Sequence, residues 1–394
     1  MSDPDLIVRV AARGEGVTED GRFAALAAPG DRLQGDGTVL PGPHHQAPPC
    51  RHFPECGGCQ LQHLDDDAYA AFLTERVASA LAAQGLSAPV LPPHLSPPRS
   101  RRRATLHAEP TGGRIRIGFA AERSHQLVDL IECHILRPEL FALVAPLRKL
   151  LARIGLRRRA DVKLTLTDQG PELLLGAPAN GLAAAEAITA FAQAHGLARV
   201  ATDDGMGPEI RWEPEPVTVT LGGVLVPFAP GGFLQATDDG EAVLVAAVRA
   251  AVGGAPAVAD LFAGLGTFAL ALPGKVYAAE GARDAVLALT SAAGRSRRPV
   301  FTEHRDLFRR PLTPTELDRF AAIVLDPPRA GAREQAAALA ASKAPAIAYV
   351  SCNPSSFARD AQMLVEGGYR LERVRPVGQF RWSTHVELVG VFRR

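Results

Sequence analysis

The chain has 394 residues, 47% of them hydrophobic and 22% charged, with a formal net charge of +1. At that length the composition excludes a disordered or fibrous protein and implies a sizeable core divided over two or three domains. A net charge so near zero excludes a global basic field, so any contact with nucleic acid must be local. The opening MSDPDLIVRV lacks a basic region ahead of an apolar run. The longest apolar stretch, AVLVAAVRAAVGGAPAVADLF, is broken by Arg249, two glycines and Pro256. No membrane span is expected, and the cytosol is the expected compartment.

In chain order, LIVRVAARGEGVTEDGRFAALAAPGDRLQGDG alternates apolar and polar residues with turn signals at EDGR and PGDR, which predicts short antiparallel strands over residues 1–45. A Pro-rich linker follows. CRHFPECGGC, residues 50 to 59, then places three of the five cysteines within ten positions. A reducing compartment and an odd cysteine count argue against disulfides, which leaves metal binding or catalysis. Cys50, Cys56, Cys59 and the distant Cys133 supply four thiols, the set that zinc or an iron–sulfur cluster requires, and the spacing leaves both open. The segment DDDAYAAFLTERVASALAAQG, acidic in its first turn, predicts a helix. Alternating or β-branched runs from RATLHAEP to VTVTLGGVLVPF complete a central α+β domain over 46–230. Arginine clusters at Arg99 and Arg101 to Arg103, at Arg157 to Arg159, and at Arg295, Arg297 and Arg298 each read, taken alone, as solvated surface.

Over 231–394 helices alternate with buried strands, which predicts a doubly wound parallel sheet with ligands at the carboxyl ends of its strands. DLFAGLGTFAL reads as a strand, a glycine turn and a helix, with Gly264 and Gly266 letting the backbone approach a ligand. The next strand, KVYAAE, ends in Glu280, where a carboxylate can accept both hydroxyls of a ribose. Ala269 stands where the third glycine of a dinucleotide motif would be, so a ligand without pyrophosphate, such as S-adenosylmethionine, fits better. IVLDPPRAG sets Asp326 on a rigid ledge where the reactive group of that ligand would lie, and Arg329 in place of an aromatic residue points away from methylation of an exocyclic amine. YVSCNPSSFARD puts Cys352 just before a helix N-terminus, a position that favours the thiolate and suits a nucleophile. THVELVG adds His385 and Glu387 on one face of a late strand.

CRHFPECGGCQLQHL, GFAAERSHQLVDLIECHIL, GGFLQAT, DLFAGLGTFAL, LDPPRAG, VSCNPSSFARD and HVE, in that order, resemble the S-adenosylmethionine-dependent RNA (uracil-5-)methyltransferases. The similarity is greatest to the iron–sulfur members that act on 23S ribosomal RNA, and it spans nearly the whole chain. The resemblance implies a Rossmann-like catalytic domain over 231–394, a central iron–sulfur domain and a short N-terminal barrel of the TRAM type. It implies that Cys50, Cys56, Cys59 and Cys133 hold a four-iron four-sulfur cluster, that Cys352 adds to carbon 6 of uracil, and that Glu387 removes the proton from carbon 5. By the same correspondence Gln235, Phe262, Gly264, Gly266, Thr267, Glu280, Asp306 and Asp326 form the S-adenosylmethionine site. RNA is the expected partner and a monomer the expected state, with the RSRRR stretch at 99 to 103 as the leading RNA contact. The chain departs from the family pattern at Thr237 and Thr267, where asparagines are usual, and at Gly378 and Arg381, where an aspartate and a proline are. The alternatives are a transfer RNA substrate, a cytosine-5 methyltransferase, or a metal-bearing RNA-binding protein with an inactive methyltransferase domain.

Overall fold

The computed structural model describes residues 3–394. Its largest sheet has eight strands in the order Val300–His304, Lys275–Glu280, Ala257–Leu261, Ala322–Leu325, Ala346–Ser351, Glu387–Arg393, Arg370–Gly378 and His94–Leu95. The pairings from Val300–His304 through Ala346–Ser351 are parallel, whereas Glu387–Arg393 pairs antiparallel with both neighbours. Side chains alternate across a strand, so a strand covered on both faces must be apolar throughout. Ala259, Leu261, Ile323, Leu325, Ile347 and Tyr349 point to one face, where they meet Tyr69, Leu73, Phe357 and Leu364. Val258, Val276, Val324, Ala348 and Val350 point to the other, against Leu244, Val248 and Leu289.

Two segments assigned to the central domain from sequence pack on this sheet instead. Helix Asp66–Ala82, whose N-cap Asp65 accepts the Ala68 N–H at 2.8 Å, buries Tyr69, Phe72, Leu73 and Val77 against helix Pro354–Glu366 and strand Arg370–Gly378. The loop after it then lends His94–Leu95 to the sheet edge. VTVTLGGVLVPF folds as a hairpin, Thr218–Leu221 with Val224–Pro227, turned at the left-handed Gly222 and Gly223, and its Val219, Leu221 and Val226 join the other face. Apolar alternation defines a strand but does not say which sheet it covers.

A second, seven-stranded sheet holds Arg103–Thr111, Arg114–Ala120, Leu127–Asp129, Ala160–Thr167, Gly170–Leu175, Arg199–Asp203 and Pro208–Trp212. The N-terminal residues form a three-stranded sheet and a two-stranded hairpin around Ile7, Ala24, Ala27 and Leu33. Among the described residues no helix is long and apolar enough to cross a membrane.

Candidate active site

The carboxyl ends of the large sheet gather the catalytic candidates. Ala346–Ser351 ends one residue before Cys352. Ser351 lies opposite Leu388 on the antiparallel strand, so the first residue of that strand, Glu387, arrives beside Cys352. Asp326 follows Ala322–Leu325, its N–H donating to the Leu261 carbonyl at 3.2 Å. The Asp-Pro-Pro-Arg loop is braced from the next helix: Asn353 Nδ2 and Ser356 Oγ both donate to the Arg329 carbonyl at 3.1 Å, and buried Asp360 accepts the Ala332 N–H at 2.7 Å.

The electrostatics of this corner differ from the expectation for Cys352. Burial, with Glu387 and Asp326 close by, pushes its thiol up to about 11, against the smaller opposing effect of Arg329. The helix N-terminus gives less help than the sequence suggests, because Asn353 Oδ1 caps it, accepting the Ser355 N–H at 3.1 Å. Glu387 is 6% exposed, and burial together with Asp326 pushes its carboxyl up to about 8, with a Gln379 hydrogen bond and Arg103 opposing. Burial and then Glu280 raise Asp326 to about 7.

The expected cofactor residues line the same strand ends. Glu280 accepts the Gly264 N–H at 2.9 Å and the Ala282 N–H at 2.7 Å, which ties the glycine loop to the neighbouring strand. Phe262 has φ of 64°, a left-handed conformation costly for a residue with a Cβ, and its ring pairs with Phe308 at 5.4 Å. Gly264 also has positive φ, and a Cβ there would meet only open space. Thr267 lies half-buried on this loop, which continues as turns instead of the expected α-helix; Pro273 and Gly274 cut it short. Buried Gln235 accepts from Gln379 Nε2 at 2.8 Å, and Gln379 Oε1 accepts the Ala236 N–H at 2.9 Å. Asp306 sits farther out, accepting the Phe308 and Arg309 N–H groups of its own turn at 3.0 and 3.2 Å.

Two contributors were not singled out from sequence. Asp260 is fully buried in strand Ala257–Leu261; its Oδ2 accepts the Ala269 N–H at 2.9 Å and its Oδ1 has no partner, while burial and Asp326 hold the carboxyl well above the usual range. The signal was an acid inside an otherwise apolar strand, AVADLF, where an unpaired buried oxygen needs a reason. Gln379, which holds both the Gln235 side chain and the Ala236 N–H, carried no sequence signal.

Cys352 opens onto a cleft of about 780 Å³ lined by Arg13, Arg76, Arg101, Arg103, Arg329 and His385, with Gly57, Gly58 and Phe119 on its far wall. Arg123, also on that wall, is paired with Glu15 at 3.3 Å and Glu122 at 3.6 Å; the other arginines have no carboxylate partner among the described residues. Arg103 Nε is buried without an acceptor, and its guanidinium lies 4.4 Å from the centre of the Phe233 ring. Of the RSRRR stretch, Arg102 does not face this cleft. It is buried and spent internally, on Asp238 at 2.5 Å, Glu241 at 2.6 Å and the Gln235 carbonyl at 3.1 Å.

The four remaining cysteines, Cys50, Cys56, Cys59 and Cys133, line one small cavity with Phe53, Phe119, Leu130 and Ile135. Burial pushes Cys56 up to about 11 and Cys59 to about 12, and raises Cys50 and Cys133. A Cβ on Gly58 would lie 3.2 Å from the Phe119 ring and 3.5 Å from Cys56 Sγ, so the glycine keeps the cavity open. Among the described residues no group of three or more His, Cys, Asp or Glu side chains is arranged to hold a metal ion.

Residues 298–394 match the model of the tRNA (uracil-5-)-methyltransferase family. An uncharacterized RNA methyltransferase of Zymomonas mobilis is 54% identical over 98% of this chain and 99% of its own length. The 23S rRNA (uracil(1939)-C(5))-methyltransferase RlmD of Halomonas elongata is 31% identical over 97% of this chain and 88% of its own. The chain belongs to the RNA (uracil-5-)methyltransferase family. Its fold is that of the Pyrococcus abyssi tRNA (uracil-54, C5)-methyltransferase, solved in complex with S-adenosyl-L-homocysteine, at a TM-score of 0.77 over 98% of both chains and 22% identity. As a member of this family the protein is an RNA methyltransferase, and the corner around Cys352 is its candidate active site.

Proposed function

We propose that the protein transfers a methyl group from S-adenosylmethionine to carbon 5 of a uridine in large-subunit ribosomal RNA through a covalent bond to Cys352. The observation that carries this reading is the meeting of one thiol and one buried carboxyl, Cys352 and Glu387, at adjacent strand ends above a cleft of unpaired arginines. Carbon 5 of uracil is too weak a nucleophile to be alkylated directly. Cys352, after losing its proton to the solvent of the cleft, adds through Sγ to carbon 6 and leaves electron density on carbon 5. Once carbon 5 carries the methyl group, Glu387 in its ionised form takes the proton from that carbon, the Sγ–carbon 6 bond breaks, and the thiolate is restored. General-base assistance of this kind contributes roughly 10²–10⁴-fold.

The residues present fit S-adenosylmethionine: open space at Gly264, an unpartnered carboxylate oxygen on Asp260, and raised carboxyls at Asp260 and Asp326 all suit a cationic ligand. When bound, it supplies the electrophilic methyl group; Glu280, Gln235, Phe262 and Asp326 are the residues that would hold it. Four cysteines around one cavity are the ligand set of a four-iron four-sulfur cluster or of zinc, and the resemblance to the iron–sulfur members of the family is what favours the cluster. The choice of ribosomal over transfer RNA rests on the RlmD relative, which the chain matches along nearly its full length.

The test is to incubate the purified protein with methyl-labelled S-adenosylmethionine and either protein-free large-subunit RNA or transfer RNA, and to map 5-methyluridine by mass spectrometry. Label in one uridine of the large-subunit RNA is expected. Label in transfer RNA alone would overturn the substrate, and label on a nitrogen or on cytosine would overturn the chemistry.

A further inference from the structure

Gln379 follows strand Arg370–Gly378 and is 1% exposed, and its side chain meets that of Gln235, which is 4% exposed. The two ends of an amide side chain have the same shape, and only their neighbours tell them apart. The Ala236 N–H can only donate, so the Gln379 atom 2.9 Å from it is the carbonyl oxygen, Oε1. Gln379 Nε2 is then a donor, and the Gln235 atom that it meets at 2.8 Å is the acceptor, Oε1. By elimination Gln235 Nε2 points away from this contact, and it finds no acceptor among the described residues. A buried amide donor without a partner is costly, so it needs an acceptor from a ligand. The backbone beneath is held as well: the Gln235 carbonyl accepts Arg102 Nε at 3.1 Å, and the Ala236 carbonyl accepts the Arg102 N–H at 2.9 Å. Gly240, in the first turn of helix Asp238–Val252, makes room for Gln379, since a Cβ there would lie 2.8 Å from Gln379 Cβ and 3.2 Å from its Oε1.

We propose that Gln379 is a positioning residue that fixes the amide of Gln235, so that Nε2 and not Oε1 is offered to an acceptor on the bound methyl donor. The inference rests on the reading of Gln235 as part of the S-adenosylmethionine site. With Gln379 in place, the Gln235 amide cannot turn over without setting two donors against each other and breaking a buried hydrogen bond. Without it, either end of the amide can face the ligand, and binding must select one.

The experiment is a double-mutant cycle on the affinity of the full chain for S-adenosyl-L-homocysteine, measured by calorimetry in the wild type, Gln379→Met, Gln235→Met and the double variant. Gln235→Met is expected to bind about tenfold more weakly and Gln379→Met about fivefold, the range that one buried hydrogen bond supplies. In the Gln235→Met background, Gln379→Met should change affinity by less than about twofold, because no amide remains to be oriented. A merely structural role would lower affinity equally in both backgrounds. A second measurement does not depend on the Gln379 variant: in protein carrying isotope-labelled nitrogen on its glutamine side chains, the Nε2 signal of Gln235, identified by its absence from Gln235→Met, should move when S-adenosyl-L-homocysteine binds. Equal effects of Gln379→Met in the two backgrounds, wild-type affinity in Gln379→Met, or a Gln235 Nε2 signal that the ligand leaves in place would overturn the proposal. Failure of the cofactor reading is distinguishable, because Gln235→Met would then bind S-adenosyl-L-homocysteine as tightly as the wild type.

Discussion

On one side of Cys352 the structure collects carboxyls, and on the other it collects guanidinium groups. Asp260, Asp326 and Glu387 are held above their usual range by burial and by one another's charge, with Glu280 adding to the effect. Arg13, Arg76, Arg101, Arg103 and Arg329 line the opposing cleft without carboxylate partners among the described residues. Had these two sets faced each other they would have neutralised in pairs, as Arg102 does with Asp238 and Glu241 and Arg199 does with Glu172. Kept apart, the arginines keep a charge that only a ligand can answer, and the carboxyls hold protons that a cationic ligand would displace. The carboxyl side suits a compact cation, the arginine side a polyanion, and Cys352 lies at the boundary between them.

Removing charge from the carboxyl side is the largest perturbation. Asp326→Asn should cut kcat/KM by about 10²-fold or more by weakening the cationic side of the site. It should also lower the Cys352 thiol toward its ordinary range, because a neighbouring negative charge that opposes the thiolate is gone. The rate of Cys352 alkylation against pH measures this; an unchanged profile would contradict the assignment of Asp326 as a cause.

Next come the two kinds of arginine. Arg102→Met breaks a buried ion-pair network and should destabilise the protein by about 3–5 kcal/mol, read from chemical denaturation. Arg103→Gln leaves no carboxylate unpaired and should cost little stability. It should weaken RNA binding and reduce the slope of log affinity against log salt by about 0.7 to 0.9 for each phosphate that is no longer neutralised. If Arg102→Met changed the salt slope at a temperature where it stays folded, or Arg103→Gln did not, the distinction between paired and unpaired arginines would fail.

The smallest effect is on stability against pH. Asp326 and Glu387 have folded values raised to about 7 and about 8, so the protons they hold favour the folded state. That contribution is fully present below the unfolded carboxyl range and is lost as pH rises through 7 and 8. The melting temperature of the ligand-free protein should therefore fall between about pH 5 and pH 9, and Asp326→Asn should flatten the decline, as differential scanning calorimetry would record.

The sheet was legible because its strands are apolar on both faces, and the chemical residues stood out because they end those strands: Glu280 closes KVYAAE, Asp326 follows AIVL and Cys352 follows AIAYVS. Three things were not legible. Periodicity placed helix Asp66–Ala82 correctly but could not tell which sheet it covers, a choice made by Phe357 and Val374 far along the chain. The run of arginines at 101 to 103 looks uniform, yet strand alternation turns Arg102 away from the cleft that Arg101 and Arg103 line. The helix dipole predicted an activated thiol at Cys352, and burial, together with Glu387 and Asp326 beside it, outweighs that dipole.

The most direct test of this account is to stop the reaction between methyl transfer and release. Glu387→Gln removes the base but leaves Cys352, so with S-adenosylmethionine and substrate RNA it should accumulate a protein–RNA adduct stable to denaturation. Nuclease digestion and mass spectrometry should then find one methylated uridine on the peptide containing Cys352, and the adduct should be missing from the double variant with Cys352→Ala. Release of methylated RNA by Glu387→Gln at the wild-type rate with no adduct, or an adduct on another cysteine, would contradict it.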